Sequence, residues 1–306
     1  MMKYVMHAFG RDNECDTNNA LHVLSGIAEE TARTLDVSVS AEVLTGDPVD
    51  AILSFADTFH PNLIVTGCRK KTAVDTLHLG SVSQSLLEKS PYPVAIVRGA
   101  SVPASAEAGA NVLFAVDDSE PSAAAVEWLH WQTWLQNSHI DLLSVNEPPF
   151  ESLIGTVKSA SDHLLSHQAE TLLVQGLLDQ WAAQLKIGGN TRAITRGSIS
   201  GAPKEEILKG ARSWPANLIV MGAHGRTGVE KMVLGSVSHH VSTHADCTVL
   251  VVKGVESAHY QATRKKILDN MVLDDLVDEK RRPDQGPAPS GNMAGSNSHI
   301  PPTGLY

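Results

Sequence analysis

Three glycines and a serine stand at a spacing that suits a bound anion. Gly222 and Gly225 lie three apart at the end of the apolar run Asn217 to Met221, and after nine intervening residues Gly235-Ser236-Val237-Ser238 opens a helical segment. An apolar run of this length bounded by glycine reads as a strand buried on both faces. Glycines at its end let the backbone turn and let a ligand come close. The first N–H groups of the helix have no intrahelical acceptor, and they mark the positive end of its dipole. Phosphate is the anion that such a terminus holds best. Neither the P-loop pattern nor the dinucleotide fingerprint occurs after a candidate strand, so this is a third kind of phosphate cradle.

A second carboxyl-end feature precedes it. Val112 to Val116 is a strand running into Asp117-Asp118-Ser119-Glu120-Pro121-Ser122, where Ser119 or Ser122 can cap a helix continuing through Leu135. Ile140 to Val145, Thr191 to Thr195, Leu218 to Met221 and Val249 to Val252 are further strands. Helices fall between them at His163 to Leu185 and Pro203 to Ala211. Strands alternating with helices predict a parallel sheet covered on both faces, with right-handed crossovers.

The elements that position the site are duplicated. At a constant offset of 155, Asn62-Leu63-Ile64-Val65 repeats as Asn217-Leu218-Ile219-Val220, and Gly80-Ser81-Val82-Ser83 as Gly235-Ser236-Val237-Ser238. Gly46, Pro48, Ile52, Leu53 and Ala56 likewise match Gly201, Pro203, Ile207, Leu208 and Ala211. The chain is therefore a tandem: a first domain over 1–100, a linker over 101–110, a second domain over 111–255 and a tail over 256–306. In the first domain, strands are expected at Lys3 to Ala8, Val37 to Leu44, Asn62 to Thr66 and Val94 to Val97. Helices are expected at Ala20 to Thr34, Asp47 to Phe55 and Val82 to Glu88. In the tail, Thr263 to Lys280 has helical spacing, and 283–306 has a disordered composition.

Gly-x2-Gly-x9-Gly-Ser after a buried strand, together with the phrase FAVDDSEPS, resembles the universal stress protein family over essentially all but the tail. The resemblance implies two tandem Rossmann-like α/β domains with parallel sheets in the order 3-2-1-4-5. The gap between the first and fourth strands is then the switch point at which such sheets take their ligands. It further implies ATP, or ADP or AMP, with Mg2+ accompanying the nucleotide. By similarity Asp117 hydrogen-bonds the nucleoside, and Ala115 and Val116 line the adenine pocket with Val145. Gly222, His224 and Gly225 wrap the ribose and phosphates, Arg226 adds charge, and Gly235, Ser236, Val237 and Ser238 bind phosphate. Family members commonly carry glycine where Asp118 stands.

The first domain departs from the pattern. Lys70 replaces the glycine matching Gly225, and nothing in it matches the strand Val112 to Asp117 or the helix after it. It is expected to lack its first strand and helix, to bind no nucleotide and to act as a structural partner.

Composition bounds the rest. The chain has 306 residues, a net charge of −10 and 42% hydrophobic residues, which suits a soluble globular protein with room for two domains. The acidic balance argues against nucleic-acid binding, which needs a basic face. No apolar run is long enough for a membrane span, and no signal peptide is read at the start, so a cytoplasmic location is expected. Cys15, Cys68 and Cys247 suit reduced thiols rather than a disulfide framework. His240, His244 and Cys247 could be imagined around a metal, but nothing supplies further ligands. Two readings stay open. One is a stress-response regulator holding an adenine nucleotide in the second domain, with at most slow ATP hydrolysis. The other is a scaffold that binds no nucleotide and works by dimerisation through the edges of its modules' last strands and the tail, as domain pairing within the chain or as a homodimer; Val249 to Val252 is an apolar edge strand of the kind that invites pairing.

Overall fold

A computed structural model describes residues 3–9, 14–68, 79–98, 109–135, 137–147, 160–188, 193–225 and 234–253. Lys70, Arg226, most of the 101–110 linker and the tail helix expected at Thr263 to Lys280 lie outside the described residues.

In the second half, the strands are β5 (Asn111–Val116), β6 (His139–Asn146), β7 (Ala193–Ser200), β8 (Leu218–Gly222) and β9 (Thr248–Val252). They lie in the order β7-β6-β5-β8-β9, all parallel, which is 3-2-1-4-5 in module numbering. Helices α4 (Glu120–His130), α5 (Ala160–Gly188), α6 (Pro203–Ser213) and α7 (Ser236–His244) connect them. The helix expected to run through Leu135 stops at His130 and gives way to a 3-10 turn at Thr133–Leu135. The strand expected at Thr191 to Thr195 instead spans Ala193–Ser200, because it pairs with β6 along its whole length.

The first half holds β1 (Lys3–Phe9), α1 (Glu14–Leu35), β2 (Ser38–Leu44), α2 (Pro48–Phe59), β3 (Ile64–Gly67), α3 (Ser81–Lys89) and β4 (Val94–Val97). Asp47 caps α2 by accepting from the N–H groups of Val49 and Asp50 at 3.0 and 3.1 Å, with Pro48 following it. The two halves do not form separate sheets. β1 and β2 make a two-stranded parallel sheet of their own, while β3 and β4 extend the second half's sheet to seven strands, β3-β4-β9-β8-β5-β6-β7. Among the described residues no strand stands between β1 and β3. That absence splits the first half's strands into two pairs.

The join is an antiparallel pairing of β4 with β9 in which Val94 faces Val251, Ala95 faces Leu250 and Ile96 faces Val249. By the 155 offset, Ala95 and Leu250 are equivalent residues, so the halves meet about a local pseudo-twofold axis, as in an isologous dimer. The edge of β9, expected to invite pairing, is satisfied within the chain.

Strand alternation sorts the core onto two faces. Val112, Phe114 and Val116 of β5 face α4 and α5, and pack with Val126, Leu177, Leu178 and Trp181. Leu113 and Ala115 face the other way, towards Ile207, Ala211 and Val241 of α6 and α7. That second cluster continues into the first half through Val49, Leu86, Leu87, Val94 and Ile96. The apolar core therefore crosses the boundary between the halves.

Candidate functional site

Because β5, β6 and β8 are parallel, the sequence Asp117-Asp118, the end of β6 and the turn after β8 all fall at one end of the sheet. The backbone turn there is tight. Ala223 donates its N–H to the Val252 carbonyl at 2.9 Å, and the Gly235 N–H donates to the Ala223 carbonyl at 2.8 Å. These two bonds fix the start of α7 beside the end of β8.

Each glycine of the motif has a close neighbour. A Cβ on Gly222 would lie 2.8 Å from Pro121 Cβ, 2.9 Å from the Pro121 carbonyl carbon and 3.1 Å from the Ser122 nitrogen. One on Gly225 would meet Asp117 Oδ2 at 2.5 Å, and one on Gly235 would meet His224 Cα at 3.0 Å. Gly222 thus lets the start of α4 pack against the end of β8, and Gly225 leaves room for the Asp117 carboxylate. At the matching positions of the first half, Gly67 and Gly80, a Cβ would meet nothing within 4 Å.

Asp117 is held firmly. The Ser119 and Ser122 hydroxyls both donate to its Oδ1, the latter at 2.7 Å, and the Asp117 N–H donates to Ser122 Oγ at 3.1 Å. Ser119 Oγ also accepts the Ser122 N–H at 3.3 Å as the cap of α4. The sequence offered Ser119 or Ser122 as alternative caps; the structure uses Ser119, and the hydroxyls of both converge on the carboxylate.

Helix α7 begins at Gly235 with no side-chain cap, and the first main-chain bond of the helix is His239 N–H to Gly235 O at 2.9 Å. The amides of Ser236, Val237 and Ser238 are therefore outside the helix's own bonding pattern. Ser236 is exposed and Val237 partly buried. Ser238 is buried, and its hydroxyl donates to the Gly222 carbonyl at 2.8 Å, so it offers a ligand its amide rather than its hydroxyl. Ser83 makes the same bond to Gly67 O at 2.9 Å in the first half.

Ala115 and Val145 are buried on one face with Met221 and Ala223. Val116 points to the opposite face, beside Phe114, which separates it from Ala115 and Val145. Two polar atoms at this end of the sheet, His224 Nδ1 and Asn146 Oδ1, are buried with no hydrogen-bond partner among the described residues. Asn146 ends β6, and its Nδ2 donates to Ser198 Oγ at 3.1 Å. The sequence reading stopped at its neighbour Val145; the signal for Asn146 was a carboxamide closing the strand at its carboxyl end. A buried polar atom left unpaired costs roughly 1–3 kcal/mol.

His240 and His244 stack with ring centroids 4.1 Å apart, and His244 Nδ1 lies 2.9 Å from the His240 carbonyl. Among the described residues no group of three or more His, Cys, Asp or Glu is placed to hold a metal ion, and no helix is long and apolar enough to cross a membrane.

Comparison with known proteins follows the same two halves. The model of the universal stress protein family matches residues 7–98 and again 110–253. Universal stress protein YxiE of Bacillus subtilis is 30% identical over 146 residues, spanning 47% of this chain and 98% of that protein. A universal stress protein of Mycolicibacterium smegmatis is 26% identical over 251 residues, 78% of this chain and 79% of its own. Among solved structures, a universal stress protein from Archaeoglobus fulgidus superposes with a TM-score of 0.51 at 21% identity, covering 82% of this chain and 88% of that one. Matched in both halves, the chain belongs to the universal stress protein family.

Proposed function

We propose that the second half binds an adenine nucleotide, ATP or its ADP or AMP counterpart, at the carboxyl ends of β5 and β8, as part of a stress-response regulator. The observation that carries this reading is the coincidence, at one end of the sheet, of the uncapped start of α7 with two buried polar atoms unpartnered among the described residues. The amides of Ser236, Val237 and Ser238 suit the phosphates. The clamped carboxylate of Asp117 suits the nucleoside hydroxyls, and Asn146 Oδ1 and His224 Nδ1 suit donors on the ligand. Ala115 and Val145 offer an apolar wall for the base. Mg2+ would arrive coordinated to the phosphates and neutralise them beside Asp117 and Asp118. The first half then serves as a structural partner.

The test is direct. Protein purified from cells is denatured and the supernatant analysed for adenine nucleotide by absorbance at 260 nm and chromatography. Emptied protein is then titrated with ATP while thermal unfolding is followed. Binding adds RT ln(1 + [L]/Kd), about 2.7 kcal/mol at a hundredfold excess over Kd. The absence of both released nucleotide and any stabilisation at millimolar ATP would rule the reading out.

A second reading has an observation of its own. Gly222, Gly225 and Gly235 all touch neighbouring protein atoms, so packing alone accounts for three glycines. On that basis the chain is a scaffold whose work is done by the paired halves. Gly225→Lys separates the two: it abolishes ATP stabilisation under the first reading and leaves no ligand effect to lose under the second.

A further inference from the structure

Residues Arg98 and Lys253 are equivalent under the 155 offset, each immediately following its half's last strand, β4 or β9. Since those strands pair antiparallel, each cation reaches into the opposite half. Lys253 Nζ donates to the Glu88 carbonyl at 2.8 Å, near the carboxyl end of α3. Arg98, only 6% exposed, donates from Nη2 to the Ser242 carbonyl and, at 3.5 Å, to that of Thr243. Its Nη1 reaches the Cys247 carbonyl at 3.3 Å. Glu88 and Thr243 are themselves equivalent, so the two contacts are mates about the pseudo-twofold axis.

The two contacts are alike in geometry and unlike in what they hold. Carbonyls of a helix's last turn lack intrahelical partners, and a cation there satisfies them and complements the dipole. Helix α3 starts at Gly80, in a half where, among the described residues, β3 pairs with β4 alone and no second strand flanks it to complete a crevice. Helix α7 starts at Gly235, where its free amides face the candidate site. At nine residues α7 is too short to be stable unaided, so both of its ends depend on outside contacts.

We infer that Arg98, supplied by the first half, is a positioning residue for the nucleotide site of the second: by holding the carboxyl end of α7 it keeps the amides of Ser236 to Ser238 aligned for phosphate. This rests on the nucleotide reading above. It also gives the first half a role in binding that needs no crevice of its own.

Full-length Arg98→Met, Arg98→Lys and Lys253→Met are compared by calorimetric titration with ATP and by amide hydrogen exchange without ATP. Loss of a cation and its hydrogen bonds at a helix end should raise the Kd of Arg98→Met for ATP about threefold to tenfold. Arg98→Lys should recover part of that loss. Lys253 contacts α3 rather than α7, so Lys253→Met disturbs the same interface but should stay within about twofold of the parent. In the ATP-free protein, exchange of the amides of His239 to His244 should accelerate in Arg98→Met, whereas Lys253→Met should accelerate α3 instead. Should the methionine variant fail to fold, Arg98→Lys against Lys253→Met gives the same comparison. Equal weakening by the arginine and lysine variants, or unchanged exchange in α7 on losing Arg98, overturns the inference. If the parent chain binds no ATP, the proposed function fails, and the exchange data still decide whether Arg98 holds α7.

Discussion

Replacing Gly222 and Gly67 by alanine, one at a time, makes a controlled comparison that the repeat itself supplies. The residues are equivalent and each ends its strand, yet their surroundings differ. In Gly222→Ala the new methyl sits 2.8 Å from Pro121 Cβ, with main-chain atoms of Pro121 and Ser122 at 2.9 and 3.1 Å. Carbon atoms rest comfortably at about 3.5–4.0 Å, so the start of α4 must retreat by several tenths of an ångström or more. Overpacking of that kind costs about 1–3 kcal/mol. Against it stands a gain of about 0.4–1 kcal/mol from a less flexible unfolded chain. The net destabilisation is then on the order of 1–2 kcal/mol, worth a fall of roughly 2–8 °C in the unfolding midpoint for a chain of this size. For Gly67→Ala no atom lies within 4 Å of the new methyl, leaving only the entropic gain, so the midpoint should hold or rise slightly. Thermal unfolding followed by circular dichroism measures both. Because Ser122 also clamps Asp117, Gly222→Ala should weaken ATP stabilisation as well. Equal midpoints for the two variants, or a fall confined to Gly67→Ala, would refute the idea that Gly222 is a close-approach glycine.

Three further expectations follow from the same geometry. Burial lowers Lys253 to about 8, with Glu88 opposing, whereas an unfolded lysine keeps its proton to 10.5. Between those values the unfolded chain binds more protons, so this residue makes stability rise with pH, and the stability of the parent relative to Lys253→Met should climb from pH 8 to pH 10. A flat or falling difference in urea unfolding contradicts that assignment. Burial also pushes the Cys247 thiol up to about 11. At pH 8 its thiolate fraction is then about a thousandth, so mass mapping after iodoacetamide treatment of the native protein should find Cys68 modified well before Cys247. Ser122→Ala removes one donor to Asp117 and should raise the ATP Kd about twofold to tenfold, as loss of a hydrogen bond worth about 0.5–1.5 kcal/mol does; titration showing an unchanged Kd would mean that the clamp does not serve the site.

The duplicated motif was legible because identical spacing survives in Gly80-Ser81-Val82-Ser83 and Gly235-Ser236-Val237-Ser238, and because buried parallel strands read as unbroken apolar runs. The 3-2-1-4-5 order of the second half follows from the resemblance and is the order observed. The antiparallel union of β4 and β9 was not legible. An apolar edge strand declares that it needs a partner, not which partner or in what direction. The Ser119 and Ser122 clamp was half read: a capping serine is a local signal, but its second bond, to Asp117, depends on how the turn folds. The surroundings of Asn146 and of the Ser238 hydroxyl were not legible for a related reason. Residue type shows a polar group, and only the fold shows that the Ser238 hydroxyl is spent on Gly222 while Asn146 Oδ1 has no partner among the described residues.

The contrast between the halves comes down to one strand. Val220 and Val65 are equivalent, and the first is fully buried while the second is 60% exposed. Val220 lies between β5 and β9 in the middle of the sheet, whereas Val65 sits on a strand whose far side is unpaired among the described residues. The same difference leaves Gly67 facing open space where Gly222 meets the start of α4. Among the described residues the first half shows no counterpart of β5, of Asp117 or of a second crevice wall. The serine bond from α3 to the end of β3 nevertheless persists, as does the cation reaching across the pseudo-twofold axis. What the first half keeps are the features that hold a helix and an interface in place, and what it lacks are those that would face a ligand. The asymmetry is why Arg98 rather than Lys253 is the cation expected to matter for binding.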